Sequence, residues 1–309
     1  MLLRICHTTR FEYQMPAYDS HNEVRMKPLD GSRQRCLQFE LEITPNASTF
    51  EYDDYYGNRV HEFSIHDRHP ALTVTAKSLV ERMPGPQPPA IPTPFGEYLL
   101  EDHARNRIEY DFLSASRHVP FSEPMRKFFW LAKPDPSEDV AAYANRIVAF
   151  IRDQFVYEPG MTKVQSTADE ILSVGGGVCQ DFAHLTIGVL RLAGIPVRYV
   201  SGYLAPAANS AVESVGAQAS HAWLEAQLPG LGWTGFDPTN GCMVDERHIR
   251  VAIGRDYSDV PPMRGVYRSQ GGKQVMSVEL QIEPQPDPPR PADSEPPESG
   301  SGPNQQNQQ

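Results

Sequence analysis

Apolar and polar residues alternate along the first part of the chain. Between Leu37 and Ile43 every second residue is apolar, and the residues between them are Gln or Glu. The run from Leu72 to Lys77 alternates in the same way. A period of two marks a strand with one buried face. Because turn residues separate such runs, the pattern predicts an antiparallel all-β domain over residues 1–82.

A cluster of prolines follows this domain. Six prolines lie between Pro84 and Pro94, and proline-rich segments are stiff and extended. We therefore place a linker, and the domain boundary, at residues 83–97.

The apolar period then becomes helical. Apolar residues recur at helical spacing from Val140 to Phe155, and a second helix is predicted from Cys179 to Ala193, before Gly194 and Pro196. Alternating strands follow, the last of them near 275–282, and this strand pairs with one of the two sheets. The sequence thus predicts an α+β core over residues 98–283 that includes the final strand. Residues 284–309 form an acidic tail rich in Pro and Gln, predicted to be disordered and removable.

Composition narrows the class of protein. The net charge of −11 argues against nucleic-acid and anionic-membrane partners. Since the N-terminus has no signal-peptide core and no apolar run reaches membrane-spanning length, we expect a cytoplasmic protein. Four widely spaced cysteines fit neither a disulfide framework nor a zinc site, and there is no EF-hand spacing. We expect no metal and no organic cofactor.

Cys179 has the sequence context of a nucleophile. It follows Gly175-Gly176-Gly177-Val178 and begins a predicted helix. A helix N-terminus favours thiolate over thiol, and its free N–H groups can bind an oxyanion. Glycines before the cysteine would let a substrate backbone approach. The alternative is a buried structural cysteine, the commonest state of a free thiol.

A thiol nucleophile needs a base, and His221 is the candidate. It opens a strand that turns at Pro229–Gly232 and returns to Asp237, a residue able to fix the imidazole tautomer. Two registers of this hairpin remain open. One puts Asp237 opposite His221, and a tighter turn puts it nearer Leu224.

Four core segments and two N-terminal segments resemble the bacterial transglutaminase-like family, whose core is distantly related to papain-like proteases. They are Gly177–His184, Gly194–Tyr203, Ser220–Trp223, Gly232–Asn240, Ser20–Arg25 and Asp54–His61. The resemblance implies an N-terminal β domain before a papain-like/transglutaminase-like core. It also implies that Cys179 is the nucleophile, His221 the base and Asp237 the orienting acid.

Neighbouring residues offer secondary roles. Gln180 and Tyr157 are candidates for a second-shell or oxyanion role, although core packing is the simpler interpretation of Tyr157. Asp181 is interpreted as favouring the helix dipole. We interpret His184 as a packing or surface residue, since it lies about 140° round the helix from Cys179.

The same triad fits several reactions on a protein or peptide substrate. A thioester formed at Cys179 from a peptide or glutamine amide gives a protease or amidase with water and a transglutaminase with an amine. An arylamine N-acetyltransferase uses the same residue types with acetyl-CoA. A third possibility is a non-catalytic binding module in which Cys179 is structural.

Overall fold

A computed structural model of the chain describes residues 1–83, 91–99, 107–206 and 220–286. Most of the proline-rich stretch and residues 287–309 of the acidic tail lie outside the described residues. The predictions for the tail therefore remain predictions.

The first eighty residues form antiparallel strands around one long strand. Their bounds are β1 Leu2–Val24, β2 Gln34–Thr44, β3 Thr49–Asp53, β4 Arg59–Ile65 and β5 His69–Arg82, in the order β2-β5-β1-β4-β3. The first half of β1 pairs with β5, and its second half pairs with β4. Apolar residues on alternate positions of β4 and β5, such as Phe63, Leu72 and Val74, form a buried core. The alternation seen in the sequence therefore decides which face of this sheet is buried.

Two strands from the end of the described chain complete the N-terminal sheet. They are β13 Met263–Arg268 and β14 Gln274–Gln285, and both pair with β1. The pairing with β14 runs without interruption from Leu2↔Gln285 to Tyr13↔Gln274. This corrects the assignment of the last strand to the core. Leu280 and Ile282 of β14 pack beside Leu3 and Ile5 of β1, a contact between distant segments.

The helices belong to the second domain. Their bounds are α1 Phe95–Tyr98, α2 Arg107–Asp111, α3 Glu123–Leu131, α4 Val140–Gln154, α5 Ala168–Val174 and α6 Cys179–Leu192. Phe95 is buried and its ring packs 5.1 Å from that of Tyr143. The core domain therefore begins within the segment predicted as a linker. Asp139 caps α4 by accepting from the backbone N–H of Ala142.

The core sheet lies against α6. Its strands are β8 Val197–Leu204, β9 His221–Leu228, β10 Gly232–Asp237, β11 Cys242–Met243 and β12 His248–Gly254, in the order β11-β10-β9-β8-β12. A short parallel pair, β6 Val156–Tyr157 and β7 Gly176–Gly177, precedes α6. Buried residues of α6 and of β9 share one apolar core. The predicted α+β class is confirmed.

Candidate active site

Cys179 is the first residue of α6 and is half-buried. Gly175 before it has φ +83°, which an L side chain rarely adopts. A Cβ on Gly176 would collide with the carbonyl of Val156, and one on Gly177 would collide with the side chain of Asp181. The glycines are thus needed for the packing of the protein against itself, whether or not a substrate approaches there.

Asp181 holds the start of this helix in place. Its Oδ2 accepts from the backbone N–H of Val178 at 2.8 Å and from the hydroxyl of Thr162. Burial of this side chain raises the pKa of its carboxyl. Asp181 therefore acts as a cap and as a tie to the loop at Thr162, a more specific role than a favourable charge near the helix dipole.

His221 and Asp237 meet across a hairpin. Phe236 pairs with Leu224, so Asp237 follows opposite Trp223, two residues along the strand from His221. This register is neither of the two considered from the sequence. Trp223 and His221 lie on the same face of β9, so the side chains of His221 and Asp237 can still meet. His221 Nε2 donates to Asp237 Oδ2 at 2.8 Å, and both side chains are 0% exposed.

The carboxylate of Asp237 is the acceptor of an extended network. Oδ2 also accepts from Asn240 Nδ2 at 2.7 Å and from His248 Nε2 at 3.1 Å. Oδ1 accepts from the backbone N–H groups of Thr239 and Asn240 at 3.0 and 3.2 Å. Burial by itself would raise the pKa of Asp237, but the hydrogen bonds from His221 and His248 hold it well below its usual range. Asp237 is therefore ionised.

The opposite edge of the His221 ring, which carries Nδ1, is turned to Cys179. Burial lowers the pKa of the imidazole, but the hydrogen bond to Asp237 and the nearby Cys179 sulfur outweigh burial and raise it to about 10. Nδ1 is buried and has no hydrogen bond of regular geometry within the described residues. Since Asp237 takes Nε2–H, Nδ1 is the nitrogen that can exchange a proton with the thiol. Such contacts are often loose in a resting enzyme.

The two secondary candidates lie in different places. Tyr157 ends β6, and its hydroxyl lies near the backbone N–H of Cys179. Burial and the nearby Cys179 raise the pKa of Tyr157 to about 12. Gln180 instead donates from Nε2 to the carbonyl of Val164 at 3.0 Å. The structure therefore brings Tyr157 to the nucleophile and directs the amide of Gln180 toward a neighbouring loop.

His248 and Asn240 contact Asp237 but were not predicted as site residues from the sequence. Asn240 closes a turn on Asp237, and Asp-Pro-Thr-Asn is a turn-forming sequence. His248 has no comparable signal, because only the pairing of β12 with β8 brings it to Asp237. The ligand atoms of His221, Asp237 and His248 lie within 4.8 Å of one another, the one such group found among the described residues. Direct hydrogen bonds already join them, so the spacing suits a hydrogen-bond network.

Comparison with known proteins decides the family. The model of the bacterial transglutaminase-like N-terminal region matches residues 3–81, and that of the transglutaminase-like superfamily matches residues 131–238. An uncharacterized protein of Mycobacterium leprae is 36% identical over 271 residues, which cover 87% of this chain and 94% of that protein. The chain belongs to the bacterial transglutaminase-like family. Its predicted family and its transglutaminase-like core are confirmed.

Two further relatives carry functional names. A candidate cysteine protease from Cytophaga hutchinsonii, with a crystal structure, superposes at a TM-score of 0.70 and 21% identity, covering 92% of this chain and 90% of that one. A protein-glutamine gamma-glutamyltransferase of Pseudomonas aeruginosa is 36% identical over 114 residues, 35% of this chain and 16% of that protein. Transglutaminase-like membership thus suggests a cysteine protease or transglutaminase-like activity. Among the described residues, no helix has the length and apolar character that crossing a membrane requires.

Proposed function

We propose that this transglutaminase-like protein is a cysteine enzyme that attacks peptide or glutamine amides. The observation that carries the proposal is the orientation of His221, whose Nε2 is bonded to a buried Asp237 while Nδ1 faces Cys179 at a helix start. Nucleophile, base and orienting acid are the three parts that thiol acyl transfer requires.

The reaction follows from this arrangement. With its proton held on His221 Nδ1, the Cys179 sulfur forms a bond to the amide carbonyl carbon. When the tetrahedral intermediate collapses, the C–N bond breaks and His221 gives the proton to the leaving amine. A thioester on Cys179 remains. Water or a second amine then attacks the thioester carbon while His221 takes its proton. The C–S bond breaks, the acid or the new amide leaves, and the Cys179–His221 pair returns to its starting state.

Stabilisation of the oxyanion falls to the helix start. The backbone N–H of Cys179 points toward the position where negative charge develops. In the resting protein this N–H lies near the hydroxyl of Tyr157. We assign Tyr157 as the second donor, because its O–H can turn to the oxyanion once substrate takes over the N–H.

Hydrolysis and acyl transfer share this triad, so the choice between them depends on which nucleophile reaches the thioester. Of the two relatives with functional names, one is named for hydrolysis, as a cysteine protease, and the other for acyl transfer, as a gamma-glutamyltransferase. The proposed substrate is a protein or peptide, and a cytoplasmic location stays a prediction.

The test is a pair of assays on wild type and Cys179→Ala. One is digestion of a peptide library, and the other is incorporation of a fluorescent primary amine into a glutamine-containing protein. We expect one of these activities in wild type and none in Cys179→Ala. The proposal would be contradicted if Cys179→Ala kept the activity of wild type. It would also be contradicted if wild type acted only on acetyl-CoA and an arylamine.

Cys242→Ala is the matched control, because Cys242 is also half-buried. Burial and the nearby Asp237 raise the pKa of the Cys242 thiol to about 11. We therefore expect Cys242 to resist iodoacetamide at neutral pH and its replacement to leave the activity unchanged.

A further inference from the structure

His248 is a second histidine on the carboxylate of the triad. It begins β12, its side chain is 0% exposed, and its Nε2 lies 3.1 Å from Asp237 Oδ2. Its ring packs edge-on against Trp223, at 5.3 Å between centroids. Neither the proposed proton transfers nor the core packing accounts for a polar ring placed there.

The opposite nitrogen of His248 faces another acid. Nδ1 lies 2.9 Å from Asp245 Oδ1 and 3.2 Å from the backbone N–H of Asp245. Nδ1 cannot donate to the oxygen and accept from the N–H at the same time. The contact to the charged oxygen is shorter, and hydrogen bonds to charged acceptors are stronger. A carboxylate oxygen only accepts, so both ring nitrogens of His248 donate, one to each acid.

The other donors to Asp237 have different origins. Thr239 and Asn240 lie in the turn that directly follows Asp237, and they move with it. His221 is the group that Asp237 has to orient. Among the described residues, His248 is the donor that ties Oδ2 to a further strand, β12, and Asp245 contacts the opposite side of the His248 ring.

We propose that His248 is a positioning residue that holds Asp237 Oδ2 in line with His221 Nε2. Asp245 supports it by fixing the orientation of its ring. The inference rests on the proposed function, because His248 acts on the thiol through Asp237 and His221. In this proposal, orientation is passed along the contacts from Asp245 through His248, Asp237 and His221 to Cys179.

The experiment compares His248→Leu with His248→Gln in the full chain. Leucine removes the donor, whereas the glutamine amide can still donate to Asp237. The first readout is the rate at which iodoacetamide labels Cys179 at about pH 6, where a free thiol is almost wholly protonated. The second is the low-field proton NMR signal of the His221 Nε2–H, which a merely structural role of His248 would not move.

We expect His248→Leu to lower the labelling rate about tenfold, the size of effect of one hydrogen bond to a charged group. The low-field signal should broaden or disappear. His248→Gln should restore most of both, and Asp245→Ala should give a smaller loss than His248→Leu. Rates are compared per folded molecule, with thermal unfolding measured for each variant.

His69→Leu is the control for loss of a buried histidine. His69 is 2% exposed, lies in the N-terminal sheet and bonds to the carbonyl of Asp67. If His248→Leu loses stability as this control does but labels at the wild-type rate with the NMR signal intact, the positioning role is wrong. If wild type labels no faster than His221→Ala, the proposed function fails instead. The low-field signal would then still show whether His248 orients Asp237.

Discussion

Helix α6 contacts two buried histidine–acid clusters that differ in their chemistry. At its N-terminus lies the proposed triad of Cys179, His221 and Asp237. One turn further along the same helix, His184 is 0% exposed and stacks on His118 at 5.1 Å between ring centroids. Asp256 is the acid of this second cluster. It accepts from the backbone N–H of His118, and its charge acts on the His184 ring.

The carboxylates of Asp237 and Asp256 accept hydrogen bonds from different groups. Asp237 accepts from the imidazole nitrogens of two histidines. Asp256 accepts from the backbone N–H groups of His118 and Ser258 at 2.7 and 2.9 Å, and His184 Nε2 accepts from the backbone of Tyr257.

The protonation of the two histidines follows from this difference. Burial lowers the pKa of His184 to about 3, with the charge of Asp256 too weak to compensate. The pKa of His221 rises to about 10, since direct bonds outweigh the same burial effect. A buried histidine is therefore neutral by default, and a carboxylate aimed at its ring nitrogen raises its pKa so that the ring can hold a proton.

Replacing His221 and His184 in turn should give the largest difference in the labelling rate of Cys179. We expect His221→Ala to slow iodoacetamide labelling of Cys179 at about pH 6 by about 100-fold or more, the usual contribution of a general base. His184→Ala should reduce the free energy of unfolding through its cavity but leave the labelling rate of folded molecules unchanged. Equal losses of labelling in the two variants would remove the distinction between the clusters.

Replacing Asp237 should also slow the labelling of Cys179 more than replacing Asp256 does, but by a smaller factor than for the histidines. Asp237→Asn is expected to slow labelling of Cys179 about 10- to 100-fold, because an amide that donates to Nε2 favours the wrong tautomer of His221. Asp256→Asn removes a charge from the second cluster and should change stability alone. A labelling rate in Asp237→Asn equal to wild type would show that His221 is oriented by another group.

The pH dependence of stability should separate the clusters by the sign of its slope. His184 has a folded pKa of about 3, so the unfolded chain binds more protons below about pH 6.5 and stability falls as the pH falls toward 3. For His221, with a folded pKa of about 10, the stabilisation is complete below about pH 6.5 and is lost as the pH rises.

Urea unfolding across this range measures both slopes. Each histidine contributes at most about 1.4 kcal/mol per pH unit. His184→Ala should flatten the acid side and His221→Ala the alkaline side. The opposite assignment of the two variants would contradict the protonation states described above.

Much of the fold could be predicted from the sequence because it depends on local periodicity. Alternation over residues 1–82 predicted the strands of the first domain, and helical spacing predicted α4 and α6. The hairpin register was not readable, because Pro229–Gly232 permits more than one turn and the observed pairing of Phe236 with Leu224 is set by how the strands pack. The start of the core was likewise misplaced, since Phe95 is buried by a contact with Tyr143, far away in sequence.

The candidate site divides in the same way. The sequence by itself determined the residue types and the local placement of Cys179, His221 and Asp237, because a glycine-flanked helix start and a strand hairpin are local features. Only the tertiary structure decided which nitrogen of His221 faces Cys179, that His248 shares Asp237, and that β14 joins the N-terminal sheet. The physical reason is that these contacts join strands far apart in sequence. Their geometry depends on how the sheets pack, and no local period of the chain records it.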